Sequence, residues 1–186
     1  MNIGFAMCGS FCTYSQVFPV MEAVALNHNV IPIFSHISYT TDSRFGTHEE
    51  HIDTAQRICG QHVLHTIEQV EPIGPKKLLD ALIIAPCTGN TLAKLAHSIA
   101  DGPVTLAAKS HLRNGRPVIV AVSTNDALAG AGENIGKLLS RKHYYFVPFG
   151  QDDAANKPTS MVADFTKIPD TLAAALEGKQ IQPVIL

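Results

Sequence analysis

A short polar loop between two apolar stretches holds the residues best suited to chemistry. The loop, Pro86 to Thr91, reads PCTGNT and supplies two hydroxyls, an amide and a glycine that has no Cβ. A helix predicted to begin there would direct free backbone N–H groups and the positive end of its dipole at an anion, most often a phosphate. The alternative is an ordinary strand-to-helix turn in which Thr88 or Asn90 caps the helix. Taken alone, the loop fits that alternative better.

Three more polar segments follow predicted strands and would reach the same edge of a parallel sheet. They are Gly9-Ser10, followed by Phe11, after the first strand, Ser35 with Thr40 and Thr41 after the second, and Ser123 to Asp126 after a later strand. In open parallel sheets, ligands bind outside the carboxyl ends of the strands, at the point where the strand order reverses. The convergence of four such ends therefore predicts a ligand pocket, which no single loop would justify.

A few charged and amide side chains are candidates for binding an anionic substrate. Arg44 lies in the polar segment Ser38 to Thr47, which is either a solvated loop or a flap that carries the guanidinium to a phosphate or carboxylate. Lys109 and Arg113 end a predicted helix, where the helix dipole accounts for them. These three cations, with Asn125 and Asp126, are the candidates for the catalytic site, and no single residue is assigned to catalysis.

The elements that position these loops alternate between strand and helix. The run Ala81 to Ala85 is entirely apolar, as in a central parallel strand covered on both faces, and Pro86 is predicted to end it. Other strands are predicted at 2–7, 30–34, 62–67, 117–122 and 144–148, and Pro32 marks either an edge strand or a position where no backbone donor is needed. The alternation predicts a three-layer, doubly wound α/β fold with five or six parallel strands. The dinucleotide fingerprint GxGxxG is absent.

Composition limits the functional classes. The 186 residues predict one domain, 1–186, and the 46% hydrophobic content with only 16% charged residues indicates extensive buried surface. A net charge of −2 argues against electrostatic binding of nucleic acid. No apolar run has the length of a membrane span and the N-terminus lacks a basic signal region, which predicts a cytoplasmic protein. The four cysteines match neither a disulfide framework nor a metal site, so we interpret them as packing residues.

The motifs together resemble those of a known family. Cys8-Gly9-Ser10, Ser35 and the loop Pro86 to Thr91 resemble the FMN-binding flavoproteins that include the peptidyl-cysteine and phosphopantothenoylcysteine decarboxylases, whose central loop reads Pro-x-Ser-Ala-Asn-Thr. The resemblance extends over nearly the whole chain and implies a Rossmann-like fold of the flavoprotein type. It also implies FMN bound by the strand-end residues, namely Gly9, Ser10, Phe11, Ser35, Thr40, Pro86, Cys87, Thr88, Gly89, Asn90, Thr91, Ser123 and Thr124.

Five further segments are similar to one branch of this family in spore-forming bacteria. They are Val70 to Lys77, Ala107 to Asn114, Val122 to Leu128, Phe149 to Asp152 and Gly178 to Val184. That resemblance implies oxidation of a dihydrodipicolinate-type precursor to dipicolinate during sporulation, in the cytoplasm of the mother cell. The partner would be an A subunit that carries the NAD(P) site, and the substrate a small dicarboxylate. Homo-oligomers, trimers or multiples of trimers, are also implied.

Departures from the decarboxylase pattern leave two alternatives open. The decarboxylases have a histidine shortly before the central strand, where this chain has Glu71 to Gly74, and a Pro-x-Met-Asn-x-x-Met-Trp motif, of which only Asn125 is kept. A stand-alone FMN-dependent decarboxylase or prenyltransferase is therefore the weaker alternative, although Lys109 and Arg113 could imitate a prenyl-phosphate site. The other alternative is a non-catalytic, structural or regulatory subunit that keeps the fold.

Overall fold

One seven-stranded sheet forms the centre of the molecule. The computed structural model describes residues 1–186, and its strands are β1 (Asn2–Met7), β2 (Asn29–Phe34), β3 (Ala81–Cys87), β4 (Val118–Thr124), β5 (Tyr144–Phe146), β6 (Phe149–Gly150) and β7 (Met161–Ala163). The first five are parallel, in the order β2-β1-β3-β4-β5. β7 pairs antiparallel with the end of β4, and β6 pairs with β7. The predicted α/β architecture is confirmed, with an antiparallel extension that the sequence did not predict.

Helices cover both faces of the sheet. They are α1 (Tyr14–Ala25), α2 (His36–Thr40), α3 (His48–Cys59), α4 (Ile67–Val70), α5 (Gly89–Ala96), α6 (Pro103–Leu112), α7 (Gly132–Leu139) and α8 (Ile168–Leu176). α1 packs with α3 and α8, whereas α6 packs with α4 and α5, and α5 with α7. None of the helices combines the length and hydropathy that a membrane span requires.

The core follows the apolar runs of the sequence. Every residue of β3 is buried, as are Phe5 in β1 and Val118 to Val122 in β4. One contiguous cluster of 47 buried hydrophobic residues joins the sheet to both helical layers. Burial of this kind is the main favourable term in folding, so β1, β3 and β4 form a rigid platform for the loops at their carboxyl ends.

Local sequence signals set several helix ends, including the predicted cap at Thr88. Thr47 and Glu50 form a reciprocal capping box at the start of α3, and Gly60, at a φ of 64°, ends that helix. Thr88 caps α5 by accepting a hydrogen bond from the backbone N–H of Thr91. Pro103 is the first residue of α6, where its missing N–H is harmless. Among the strands, β2 pairs only with β1, which confirms the edge position predicted from Pro32.

Three predictions of strand limits were wrong. β3 does not end at Pro86 but continues to Cys87, and it accommodates the proline by a register shift against β4 between Ile84 and Cys87. The predicted strand at 62–67 is a single bridge between Leu64 and Ile33, because Thr66 already caps α4. The predicted last strand at 144–148 stops at Phe146, and two short strands that the sequence did not predict follow it.

Candidate functional site

An elongated cleft lies above the carboxyl ends of β1, β3 and β4. It consists of a cavity of about 630 Å³ and a cavity of about 350 Å³. Both are lined by Gly9, which follows β1, and by Thr88, which follows β3. We call the two together the strand-end cleft. Its larger part is bordered by Ser10, Phe11, Arg44, Ser123, Thr124 and Asn125, and its smaller part by Cys8, Ser35, His36, Asn90 and Thr91.

Short hydrogen bonds tie the floor of the cleft together across strands. The hydroxyls of Ser10 and Ser123 are 2.7 Å apart, which joins the loop after β1 to the end of β4. Thr91 donates its hydroxyl to the Cys8 sulfur at 3.3 Å, which joins α5 to the loop after β1. A site whose groups are held in this way is formed before any ligand arrives.

The loop after β3 leaves backbone donors free. The N–H groups of Gly89 and Asn90 have no acceptor within the chain, whereas that of Thr91 is bonded to Thr88 Oγ1 at 3.3 Å. An added Cβ at Gly89 would lie 2.7 Å from Thr124 Oγ1 and 2.9 Å from an Asp126 carboxylate oxygen, so a larger residue there would have to displace these side chains. Thr88 is therefore both the helix cap of the first interpretation and a lining residue of the cleft.

The two buried cysteines, Cys8 and Cys87, are neutral at ordinary pH. Burial raises the pKa of the Cys8 thiol to about 11, although hydrogen bonds from Thr91 and Thr88 oppose the shift. Burial also raises the pKa of Cys87, and the neighbouring Cys8 adds to the effect. Because the thiolate is the nucleophilic form, neither residue is prepared for nucleophilic catalysis.

A wall of the larger cavity comes from the region that the sequence left unassigned. Asp152, Lys157, Ser160 and Val162 line it, because the antiparallel pairing of β7 with Ser123 and Thr124 carries them to the end of β4. Lys157 and Asp152 form an ion pair at 3.3 Å. The FGQD segment pointed to Asp152 through the family resemblance, but no sequence signal identified Lys157 or Ser160.

The smaller cavity also contains residues that the sequence did not reveal. His36 and Ile37 begin α2 at its rim, and Lys94 is bonded to Asp101 at 2.9 Å beside the start of α6. His36 follows Ser35, the cap residue, directly. A single histidine directly after the second predicted strand carried no distinguishing pattern.

Several predicted site residues lie elsewhere. Thr40 lines a different cavity, and its hydroxyl donates to the carbonyl of His36. Pro86 and Cys87 are buried beneath the cleft as part of β3 and line neither cavity. Asp126 borders the cleft only indirectly, through the hydrogen bond that its carboxylate accepts from Thr124 at 2.5 Å. These side chains would act through their neighbours or through the backbone.

Lys109 and Arg113 lie in a separate cavity, away from Arg44, Asn125 and Asp126. This space, of about 470 Å³, we call the basic cavity; it is lined by Leu95, Ser98, Ile99, Thr105, Lys109, Leu112, Arg113, Arg141, Lys142, His143 and Tyr144. Its only lining residue in common with the strand-end cleft is Thr105. The five candidate substrate-binding residues therefore do not form one site, because Lys109 and Arg113 lie at the C-terminal end of α6, away from the cleft.

The region that holds a histidine in the decarboxylases is a short helical turn in this chain. Glu71–Ile73 is a 3₁₀ turn with Ile73 buried in the core. The nearest upstream histidine, His65, stacks on Tyr39 with ring centroids 3.5 Å apart and lines neither part of the cleft. No group of three or more His, Cys, Asp or Glu side chains is arranged to hold a metal ion.

Comparison with known proteins identifies close relatives. The model of the family described as Flavoprotein matches residues 2–174. The B subunit of dipicolinate synthase from Bacillus subtilis (strain 168) is 43% identical over 186 residues, which are 100% of this chain and 93% of that protein. The crystal structure of the dipicolinate synthase B subunit from Bacillus halodurans C superposes with a TM-score of 0.91 at 45% identity, covering 100% of this chain and 95% of that one. The FMN-dependent cysteine decarboxylase SpaF shares the fold, with a TM-score of 0.70 at 20% identity over 94% and 97% of the two chains.

Proposed function

The chain belongs to the flavoprotein family, in the branch of the dipicolinate synthase B subunits, and on that premise we propose that it binds FMN in the strand-end cleft. We propose further that it takes part, with an A subunit, in oxidising a dihydrodipicolinate-type precursor to dipicolinate. The oxidation removes two electrons and two protons as the ring becomes aromatic. The NAD(P) site belongs to the A subunit in this proposal, which agrees with the absence of a GxGxxG motif here.

The position of the cleft is the observation that carries the flavin proposal. In the strand order β2-β1-β3-β4-β5, the sheet reverses direction between β1 and β3. Doubly wound sheets of this order bind flavin at that switch point. Gly9 and Thr88, the two residues that line both parts of the cleft, lie within two residues of the ends of these two strands.

The residues present fit a flavin phosphate and a polar ring edge. Free N–H groups at Gly89 and Asn90 suit anionic or carbonyl oxygens, and the hydroxyls of Ser10, Ser35, Thr88, Ser123 and Thr124 add donors around them. Phe11 supplies an apolar surface beside these donors. When bound, the flavin would accept electrons from the dihydropyridine ring. The residues of this chain would position the flavin and the dihydropyridine substrate against each other and exclude water from the space between them.

Assembly is part of the same proposal. Homo-oligomers, trimers or multiples of trimers, would cover apolar side chains that are exposed in the single chain, such as Ile37 at the rim of the cleft, which is 52% exposed. The proposed setting is the cytoplasm of the mother cell during sporulation. Light scattering of the purified chain, alone and with the A subunit, measures both kinds of association.

A flavin titration with matched glycine variants tests the cofactor site. Gly89→Val places a branched side chain where the Cβ alone would lie 2.7 Å from Thr124 Oγ1, so we expect it to displace the donors and lower FMN affinity at least about tenfold, which is about 1.4 kcal/mol. Gly136→Val is the control, because a Cβ there meets nothing within 4 Å. Binding is followed by the visible flavin bands and by quenching of flavin fluorescence.

Three results would contradict the proposal in different ways. Absence of any flavin band or titratable binding in the unaltered chain would remove the cofactor. Formation of dipicolinate by the A subunit alone at full rate would favour a structural or regulatory role. Turnover of a cysteinyl or prenyl substrate by the isolated chain would replace the oxidation with the chemistry of the more distant relatives.

A further inference from the structure

The basic cavity concentrates positive charge that nothing in the chain neutralises. Lys109 and Arg113 project from α6, and Arg141 with Lys142 from the segment before β5, and none of the four takes part in an ion pair. No acidic residue lines the cavity, in a chain whose net charge is −2. Four unpaired cations converging on one concave surface raise the local concentration of anions.

Part of this charge has a structural explanation, and part of it has none. Arg141 donates to the carbonyls of Leu95 and Ala96, at 3.1 and 2.8 Å, and so satisfies the last turn of α5. A guanidinium has five N–H donors, so three remain after these two bonds. Lys109, Arg113 and Lys142 make no side-chain hydrogen bond within the chain. The helix dipole of α6 accounts for cations near its end but not for those that come from the opposite wall.

The backbone around the cavity is held in an uncommon conformation. Only three non-glycine residues have positive φ, and two of them, Ser98 at 59° and His143 at 69°, line this cavity. Such conformations are unfavourable for residues with a Cβ and persist where the surrounding structure determines them. The two sharp turns bring the end of α5 and the start of β5 together as walls of one cavity.

The remaining walls are apolar. Leu95 and Leu112 contribute aliphatic surface, and Tyr144 contributes a ring whose hydroxyl has no partner within the chain. Burial raises the pKa of Tyr144 to about 12, so this hydroxyl remains a neutral donor. Apolar walls with a few polar groups at the rim are typical of sites for small organic ligands.

We propose that the basic cavity binds a small organic dianion with a flat, apolar body. Aromatic dicarboxylates and aryl phosphates share this chemistry, and a charge-assisted hydrogen bond from Arg113 or Lys109 would hold each anionic group. The dianion would lie beside the strand-end cleft, because Thr105 lines both spaces. The choice of a dicarboxylate as first probe rests on the proposed function, whereas the charge and shape of the site do not.

Calorimetric titration of the purified chain tests this site. The probes are dipicolinate and phenyl phosphate, with benzoate as a monoanion and inorganic phosphate as an anion without an apolar body. We expect at least one aromatic dianion to bind more tightly than both comparison anions. Arg113→Glu and Lys109→Glu should each weaken that binding at least about tenfold, the loss expected for one charge-assisted hydrogen bond.

Charge-matched variants elsewhere serve as controls. Arg57→Glu on α3 and Lys137→Glu on α7 change the net charge equally, and neither residue lines the basic cavity or forms an ion pair. Both should leave dianion binding within about twofold of the unaltered chain. All four residues are exposed, so thermal unfolding should show that each variant folds.

The outcomes distinguish a carboxylate ligand from a phosphorylated one, and they test the dianion site separately from the flavin site. Dipicolinate binding that the cavity variants weaken indicates a carboxylate ligand, and the same pattern with phenyl phosphate indicates a phosphorylated one. If neither aromatic dianion binds, if the control variants weaken binding equally, or if inorganic phosphate binds as tightly, the proposal is overturned. FMN titration of Arg113→Glu reports on the flavin proposal independently, because Arg113 does not line the strand-end cleft.

Discussion

The strand-end cleft and the basic cavity adjoin at Thr105 but are built in opposite ways. The cleft is formed by short hydroxyls and backbone N–H groups that are fixed to one another, as in the 2.7 Å contact between Ser10 and Ser123. The basic cavity is formed by long cationic side chains, and Lys109, Arg113 and Lys142 have no partner. The cleft is therefore held by internal hydrogen bonds, with most of its charges in the ion pairs Lys94–Asp101 and Lys157–Asp152, whereas the basic cavity carries cations without an ion-pair partner.

The difference shows that stability and affinity are distributed differently in the two sites. Removing a group from the cleft floor breaks hydrogen bonds that also hold the fold, so it should affect both folding and binding. Removing an unpaired cation from the basic cavity breaks no internal contact, so it should affect binding alone. A change of pH or a single substitution can test this contrast between the two sites. The change of pH should have the largest effect on the free energy of unfolding.

Acid should loosen the attachment of α6, the helix that carries Lys109 and Arg113. His111 is fully buried on that helix and lies 3.1 Å from the Pro117 carbonyl. Burial lowers the pKa of His111 from 6.5 to about 4, with Arg116 adding to the shift and Asp80 opposing it. Above pH 6.5 the group is neutral in both states. As the pH falls from 6.5 to 4, only the unfolded chain gains the proton, so the free energy of unfolding should drop by about 3 kcal/mol.

Urea unfolding at a series of pH values measures this effect. His111→Gln removes the titrating group and keeps a donor for the Pro117 carbonyl, so the difference in slope between the two proteins isolates the histidine. Equal slopes between pH 6.5 and 4 would show that His111 is not held neutral by the fold.

A pair of tyrosine-to-phenylalanine variants compares the two sites directly. The Tyr14 hydroxyl lies 3.0 Å from the Cys8 carbonyl and 2.9 Å from Ser38 Oγ beneath the cleft. Its removal leaves buried groups without a partner, so Tyr14→Phe should cost about 1–3 kcal/mol of unfolding free energy. Tyr144→Phe in the basic cavity breaks no internal hydrogen bond and should change stability by less than about 0.5 kcal/mol. Equal losses in chemical denaturation would abolish the contrast between the sites.

The smallest effect is expected for neighbouring cations in the basic cavity. Arg141→Ala removes two hydrogen bonds to the carbonyls at the end of α5 and should cost about 1 kcal/mol. Lys142→Ala removes an exposed charge with no internal partner and should stay within about 0.5 kcal/mol. Thermal melts of the two variants measure the difference. A loss for Lys142→Ala as large as that for Arg141→Ala would mean that Lys142 has a structural partner.

The fold was largely predictable because its strongest signals are local. The apolar run from Ala81, the cap at Thr88 and the capping box from Thr47 each depend on residues a few positions apart. The strand-end cleft shared this advantage, since each of its predicted segments follows its own strand. Thr40 was one exception, because α2 is a short helix that turns its hydroxyl back onto His36, and Pro86 and Cys87 were others, because β3 continues through them.

The antiparallel hairpin of β6 and β7 was not predictable by the same means. β7 has only three residues, too few for a periodic pattern, and its strand character comes from pairing with Ser123 and Thr124. The tail after Gly178 is likewise fixed by distant partners, since Gln180 bonds to Phe146 and Leu186 to Phe149. The pairing of β7 with β4 places Lys157 and Ser160 in the wall of the cleft, and no local sequence signal predicted it.

The sequence by itself determined the parallel α/β arrangement, the family and the polar loops at the strand ends, because burial and capping act between near neighbours. Only the tertiary structure decided that Arg44 and Asn125 line the cleft while Lys109 and Arg113 line a different cavity. The physical reason is the direction of α6, which begins at Pro103 beside the cleft and runs away from it, so its terminal cations meet Arg141 and Lys142 instead.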